Sequence, residues 1–184
     1  YPSIRINKKF TDKYKTNLHE FSNKFGELGR YVCLFCRDGT YYGDINNPRN
    51  SEISKLNDSI KALNNYGYGV VLMGRNNIKK KDNEIFFDGY IDYSSYEGAS
   101  NDLDLFLVYN SEFVISNSSG ASVLPWLFKK PILVHNFMPV GIRPIFAENC
   151  IFIMKYYYFK GEKVSYHDIP EDLLLCEDFN TLSN

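Results

Sequence analysis

Apolar residues in this chain fall into short unbroken runs, separated by longer stretches in which they recur every three or four positions. Tyr31–Cys36 (YVCLFC), Gly69–Met73 (GVVLM), Glu112–Ser116 (EFVIS), Pro131–His135 (PILVH) and Cys150–Met154 (CIFIM) all have strand length. Continuous rather than alternating apolarity marks strands covered on both faces, as in parallel sheets. Phe86–Tyr93, interrupted by Gly89, predicts one more strand, third in chain order. Between the runs, Ile53, Leu56, Ile60 and Leu63 keep helical spacing behind Ser51 as N-cap and Glu52 in the first turn, with Gly67 as the stop. Leu103, Phe106 and Leu107 follow Asn101 as cap, and Asp102 and Asp104 sit favourably against the macrodipole. A third helix spans Ser118–Phe128, kinked or delayed by Pro125, and a short one lies near Ile169–Leu175. The first thirty residues are polar, with a weak helical pattern (Tyr14, Leu18, Phe21, Phe25) ended by Gly26 and Gly29. They read as a lead-in helix and linker, 1–30, ahead of a domain at 31–184.

Strand and helix alternating five times predict an α/β fold with a doubly wound, mostly parallel sheet. With the common order 3-2-1-4-5-6, a ligand crevice lies outside the carboxyl ends of strands one and four. The polar loops at 37–44 and 116–122 begin there.

Composition narrows the classes. With 184 residues and 44% apolar content the chain buries a real core and is not disordered. A balance of 21 basic against 22 acidic residues argues against a broad nucleic-acid footprint. No run of about 18 apolar residues is present, so no membrane span is predicted, and no signal peptide is expected. Tyr1 in place of Met leads to the expectation that an N-terminal portion has been removed. Cys33 and Cys36 have CxxC spacing, but in an extended strand their side chains diverge, so core packing is expected instead of a metal or redox pair. Unpaired cysteines and no secretory signal point to a reducing, cytoplasmic setting, with any membrane association through partners. Three scattered histidines without HxH or HExxH spacing predict no metal site.

The chemistry concentrates in two loops. Six arginines against fifteen lysines mean that arginine is scarce, and Arg37, Arg49, Arg75 and Arg143 lie just past strands or in the following loops. A planar guanidinium suits bidentate phosphate contacts. Ser116–Ser122 (SNSSGAS) follows a strand and opens a helix, so its backbone N–H groups can meet an anion, with the hydroxyls of Ser118, Ser119 and Ser122 as extra donors. The loop has one glycine and no following lysine, unlike either GxGxxG or a Walker A sequence. Arg37 is placed to clamp a phosphate across the crevice, with Asp38 orienting it or serving as a turn residue before Gly39. Tyr41 and Tyr42 are candidates for stacking on a sugar or base, and Asp44 for a general base. His135, at the end of the fifth strand, reads more readily as a satisfied structural histidine than as a catalytic one.

The run YVCLFCRDGTYYGD, then RNS, YGVVLMGR, IDYSS, DLFL, SEFVISNSSGASVLPWLFKKPILVHN and IRPIF, resembles the surface-carbohydrate glycosyltransferases over about residues 31 to 154. The resemblance implies a GT-B fold, two Rossmann-like halves around a cleft, of which this chain carries the nucleotide-sugar-binding half. It implies a nucleotide-sugar donor, a glycan or other carbohydrate acceptor, and no metal or cofactor beyond the donor itself. Arg37, Asp38 and Asp44 become the catalytic candidates. Tyr42, Gly43, Arg49, Gly74, Arg75, Asn117, Ser118, Ser119 and Gly120 become substrate-binding candidates. Two departures stand out: Phe35 occupies the place of the family's usual histidine, and only one Rossmann-like half is present. A missing N-terminal half is expected to leave an apolar face near Tyr156–Phe159 and the lead-in helix, through which copies self-associate. A nucleotide-sugar epimerase, a pyruvyl transferase and a non-catalytic nucleotide- or sugar-binding module stay open as alternatives.

Overall fold

The computed structural model describes residues 12, 19, 21–39, 43, 47–74, 89–138 and 149–171. Six strands form one sheet: β1 (Tyr31–Phe35), β2 (Gly69–Met73), β3 (Tyr90–Asp92), β4 (Val114–Asn117), β5 (Ile132–Phe137) and β6 (Cys150–Met154). Every pairing is parallel and the order is β3-β2-β1-β4-β5-β6. This is the Rossmann-like α/β arrangement that the alternating pattern predicts. The chain runs outward from β1 through β2 to β3, then returns to the other side of β1 as β4. The direction of winding therefore reverses between β1 and β4.

The side chains of β1 divide between two cores, as a strand covered on both faces requires. Tyr31 and Cys33 face one core, shared with Leu103, Leu107 and Val108 of α2 (Asn101–Asn110; α1 is Asn57–Asn65) and with Val114 and Val134. Val32 and Leu34 face the other, closed by Ile60 of α1 with Ile53, Leu56 and Leu63 packed around it. Cys33 and Cys36 accordingly lie on opposite sides of the sheet, both as free thiols. Phe21 is fully buried against Tyr93 and Tyr96, so the helical residues 21–25 complete the first core as well as leading into it. Among the described residues no helix is long and apolar enough to cross a membrane.

Several local expectations are corrected. Ser51 does not cap a helix: a 3-10 turn, Ile53–Leu56, precedes α1, and the Ser51 hydroxyl accepts a hydrogen bond from Asn136 instead. Ser100, not Asn101, caps α2, its Oγ accepting from the Leu103 N–H at 3.2 Å. Both residues are good caps, and the tertiary setting decides between neighbours. Gly67 does follow α1, at φ +79°, where a Cβ would be strained. The third strand is confined among the described residues to Tyr90–Asp92, because Tyr93 turns into a 3-10 segment and sinks into the core. Residues 75–88 lie outside the described set, as do 172–175 of the expected last helix. The helix expected over Ser118–Phe128 is reduced to a 3-10 turn, Gly120–Ser122, and a five-residue α3, Val123–Leu127, with Pro125 buried inside it. After β6 the pattern missed an antiparallel hairpin, β7 (Tyr157–Phe159) and β8 (Glu162–Val164). Lys160 and Gly161, at φ +50° and +85°, close it in two residues. Tyr156, Tyr158 and Phe159 are exposed there, as are Ile151 and Ile153 on β6.

The Cys33 thiol is fully buried, and desolvation pushes its pKa from about 9 up to about 12; burial also raises that of Tyr31. In the unfolded chain both groups ionise earlier, so between about pH 9 and 12 the unfolded state binds fewer protons and stability falls as pH rises. Iodoacetamide at pH 8 should leave Cys33 unmodified in the native protein and label it in guanidinium. Mass spectrometry of the tryptic peptide carrying residues 31–37 reads the difference directly.

Candidate functional site

The carboxyl ends of β1 and β4 are joined by one side chain. Asn117, the last residue of β4, is fully buried and lies level with His135 across the β4–β5 pairing. Its Oδ1 accepts the Arg37 backbone N–H at 3.0 Å, and its Nδ2 donates to the Arg37 carbonyl at 3.3 Å. A carboxamide can continue a backbone ladder in this way because it carries a donor and an acceptor with peptide-like geometry. The same Nδ2 donates to the Arg49 carbonyl at 2.8 Å. Asn117 thus ties two loops to the end of β4, and both loops carry an arginine. Its place in the site is that of a strut.

The segment 47–51 is held from further directions. Arg37 Nε donates to Asn50 Oδ1 at 3.0 Å, and the Ser51 N–H to the Arg37 carbonyl at 2.7 Å. Arg49 is bound to its own loop, with backbone N–H and Nε both donating to Asn47 Oδ1. Cys36 Sγ donates to the Ser51 carbonyl. The structure therefore brings together Arg37, Arg49 and Asn117, while Asp38 is exposed at the mouth of the β1 loop. Gly43 is exposed, and Gly74 directly follows β2. Tyr42, Asp44 and Arg75, with Tyr41 and Arg143, lie outside the described residues.

On the β4 side, Ser118 and Ser119 are half-buried and Gly120 is exposed, with open space where a Cβ would stand. Two of the three hydroxyls expected to face an anion, those of Ser118 and Ser122, are engaged elsewhere. Ser118 Oγ donates to the Met138 carbonyl at 2.7 Å, and Ser122 Oγ bonds Ser116 Oγ and the Asn117 carbonyl. The Ser118 bond braces the β4 loop against the residue after β5, and the Ser122 bonds tie the loop to the end of β4. A five-residue helix behind a 3-10 turn also aligns few peptide dipoles, so its field is smaller than the expected eleven-residue helix would supply.

His135 is not the satisfied histidine that its place at a strand end suggests. It is 9% exposed, and its Nε2 has no hydrogen-bond partner among the described residues. Burial lowers its pKa below the usual value of 6.5 and favours the neutral ring. Two other contributors were missed by pattern reading. Asn136 sits at φ +50° and donates to Ser51 Oγ at 2.6 Å; Lys155, just past β6, donates to the Pro48 carbonyl. The signal available for Asn136 is its tolerance of left-handed backbone at a strand end; Lys155 carries none. Burial and the nearby Lys55 both lower the Lys155 pKa. Among the described residues no group of three His, Cys, Asp or Glu is placed to hold a metal ion. Comparison of the chain with protein families, curated proteins and solved structures finds no match.

Asn117→Ala should lower stability by about 2–3 kcal/mol, because it takes away the side-chain partner of the half-buried Arg37 N–H and Arg49 carbonyl; urea unfolding measures it. The unfolded chain protonates His135 near pH 6.5 while the buried ring resists, so stability is full above about pH 6.5 and declines below it. In His135→Gln the drop between about pH 6.5 and 5 should be shallower, measured by the same unfolding experiment at each pH.

Proposed function

We propose that the crevice between the β1 and β4 loops binds the diphosphate of a nucleotide sugar, and that this domain is the donor-binding half of a GT-B-like glycosyltransferase. The observation that carries the reading is the placement of Arg37. It leaves β1 at the point where the sheet reverses its winding, and Asn117 holds its backbone there from the facing strand. Open α/β sheets bind ligands at such reversals. Arg49 is on the segment tied to the same strut. The resemblance read in the sequence implies that Arg37 and the Ser118–Gly120 loop hold the donor's diphosphate, which supports this reading.

In the proposed transfer the acceptor oxygen forms a bond to the anomeric carbon as the bond from that carbon to the diphosphate oxygen breaks. The electron pair leaves with the nucleoside diphosphate, and the acceptor's proton passes to a base. Negative charge grows on the leaving diphosphate, so a fixed guanidinium stabilises the transition state more than the ground state. Arg37 supplies that charge, with Arg49 beside it and backbone N–H groups at Ser118–Gly120 completing the cradle without a metal. Asp38, exposed at the mouth, either orients the guanidinium or receives the proton. Asp44 shares the second role.

A panel of uridine, guanosine and cytidine nucleotide sugars, screened by thermal shift on the intact protein, should contain at least one that raises its apparent stability. For that ligand, Arg37→Ala should weaken binding about ten- to a hundred-fold, the loss of one or two charge-assisted hydrogen bonds. Unchanged affinity in a folded variant rejects the site. Binding without sugar transfer by the full-length protein would favour the non-catalytic module.

A further inference from the structure

The segment 48–51 is fastened from the ends of four strands. Arg37 and Cys36 reach Asn50 and Ser51 from β1, Asn117 reaches Arg49 from β4, Asn136 reaches Ser51 from β5, and Lys155 reaches Pro48 from just past β6. One of these links depends on a break in the sheet. Val134 pairs with Phe152, but the next pairing is Phe137 with Met154, so β5 holds one more residue than β6 over that interval. Asn136 lies in this bulge at φ +50°, a backbone region where asparagine, aspartate and glycine are at home. The bulge brings its carboxamide to 2.6 Å from Ser51 Oγ, 85 residues earlier in the chain. Bulges next to functional sites commonly re-aim a side chain in this way.

We propose that Asn136 is a positioning residue: the β5 bulge presents its carboxamide to Ser51, and this link holds the 48–51 segment so that Arg49 meets the diphosphate of the bound donor. The inference rests on the nucleotide-sugar reading of the crevice. It assigns Asn136 no contact with substrate. Its effect passes through Ser51 to the backbone that carries Arg49, which Asn117 grips from the opposite side.

Two substitutions separate the link from the bulge. Asn136→Gly keeps the left-handed backbone and removes the carboxamide. Asn136→Asp also suits that backbone, and it keeps the link because the Ser51 hydroxyl can donate to the carboxylate. The intact protein is tested in two ways: the rate of tryptic cleavage after Arg49, followed by mass spectrometry, and the affinity for inorganic pyrophosphate, measured by calorimetry. Cleavage within a folded protein follows the population of the locally open segment. Losing one hydrogen bond should raise it about fivefold in Asn136→Gly and weaken pyrophosphate binding by a similar factor, with global unfolding little changed. Asn136→Asp should match the wild type in cleavage. Ser51→Ala should reproduce the glycine variant, and the double variant Ser51→Ala/Asn136→Gly should be no worse than either. Wild-type cleavage in Asn136→Gly overturns the proposal, as does faster cleavage with unchanged pyrophosphate affinity. If the wild type itself binds neither pyrophosphate nor any nucleotide sugar, the reading of the crevice fails and the positioning role falls with it. Faster cleavage in the glycine variant would then show a purely structural clamp.

Discussion

One buried carboxamide, that of Asn117, joins the ends of β1 and β4 where their backbone pairing stops. Past Phe35 and Ser116, the last residues paired between β1 and β4, the backbone ladder between the two strands stops. The half-buried backbone groups beyond that point need other partners, and each one left buried and unsatisfied would cost about 1–3 kcal/mol. Asn117 answers this by pairing with both the N–H and the carbonyl of Arg37 and then with the carbonyl of Arg49. An aspartate in its place would lack the donor, and a leucine would lack both functions. Where the ladder stops, this side chain carries the hydrogen bonding forward into the loops.

The hydroxyl groups near this junction follow the same logic on the other side. Ser116 and Ser122 bond within the β4 turn, and Ser118 links it to the residue after β5. Small polar side chains at a strand-to-helix turn can either face a ligand or stiffen the turn. Here three of them stiffen it, so the proposed anion-facing surface lies on a turn that is already held. Such a surface loses little freedom on binding.

How far the sequence was legible follows from the range of the interactions involved. The apolar runs YVCLF and GVVLM have the length and β-branched content of doubly covered strands, so the parallel sheet and the opposite facing of Cys33 and Cys36 were legible, while the strand order was taken from the commonest winding and is the one observed. These features depend on local hydrophobicity and on chirality rules that hold for nearly all such folds. Ser51 and Asn101 were misread because capping is a choice among adjacent residues of similar capability. Asn136, far along the chain, decides the first case by engaging the Ser51 hydroxyl. Asn117 was legible as a site residue, though its role as a strut was not, because that role depends on two backbone groups 80 and 68 residues away. The short α3 reflects Pro125 and the 3-10 turn ahead of it, where helical spacing alone suggested eleven residues. The Lys160–Gly161 hairpin was missed although glycine in a two-residue connection is a local signal.

The exposed outer strand β6 has a consequence for how the molecule breathes. Four of the five residues of β1 are buried, whereas β6 leaves Ile151, Ile153 and Met154 exposed at the end of the strand order. Local opening is easiest where little apolar surface must be uncovered, so amide protons should exchange earliest along β6 and latest along β1 and β4. The proposed site is thus mounted on the slowest-opening part of the sheet. Its walls can hold their geometry through excursions in which the periphery comes apart, and only the fastening through Lys155 runs out to the strand that opens first.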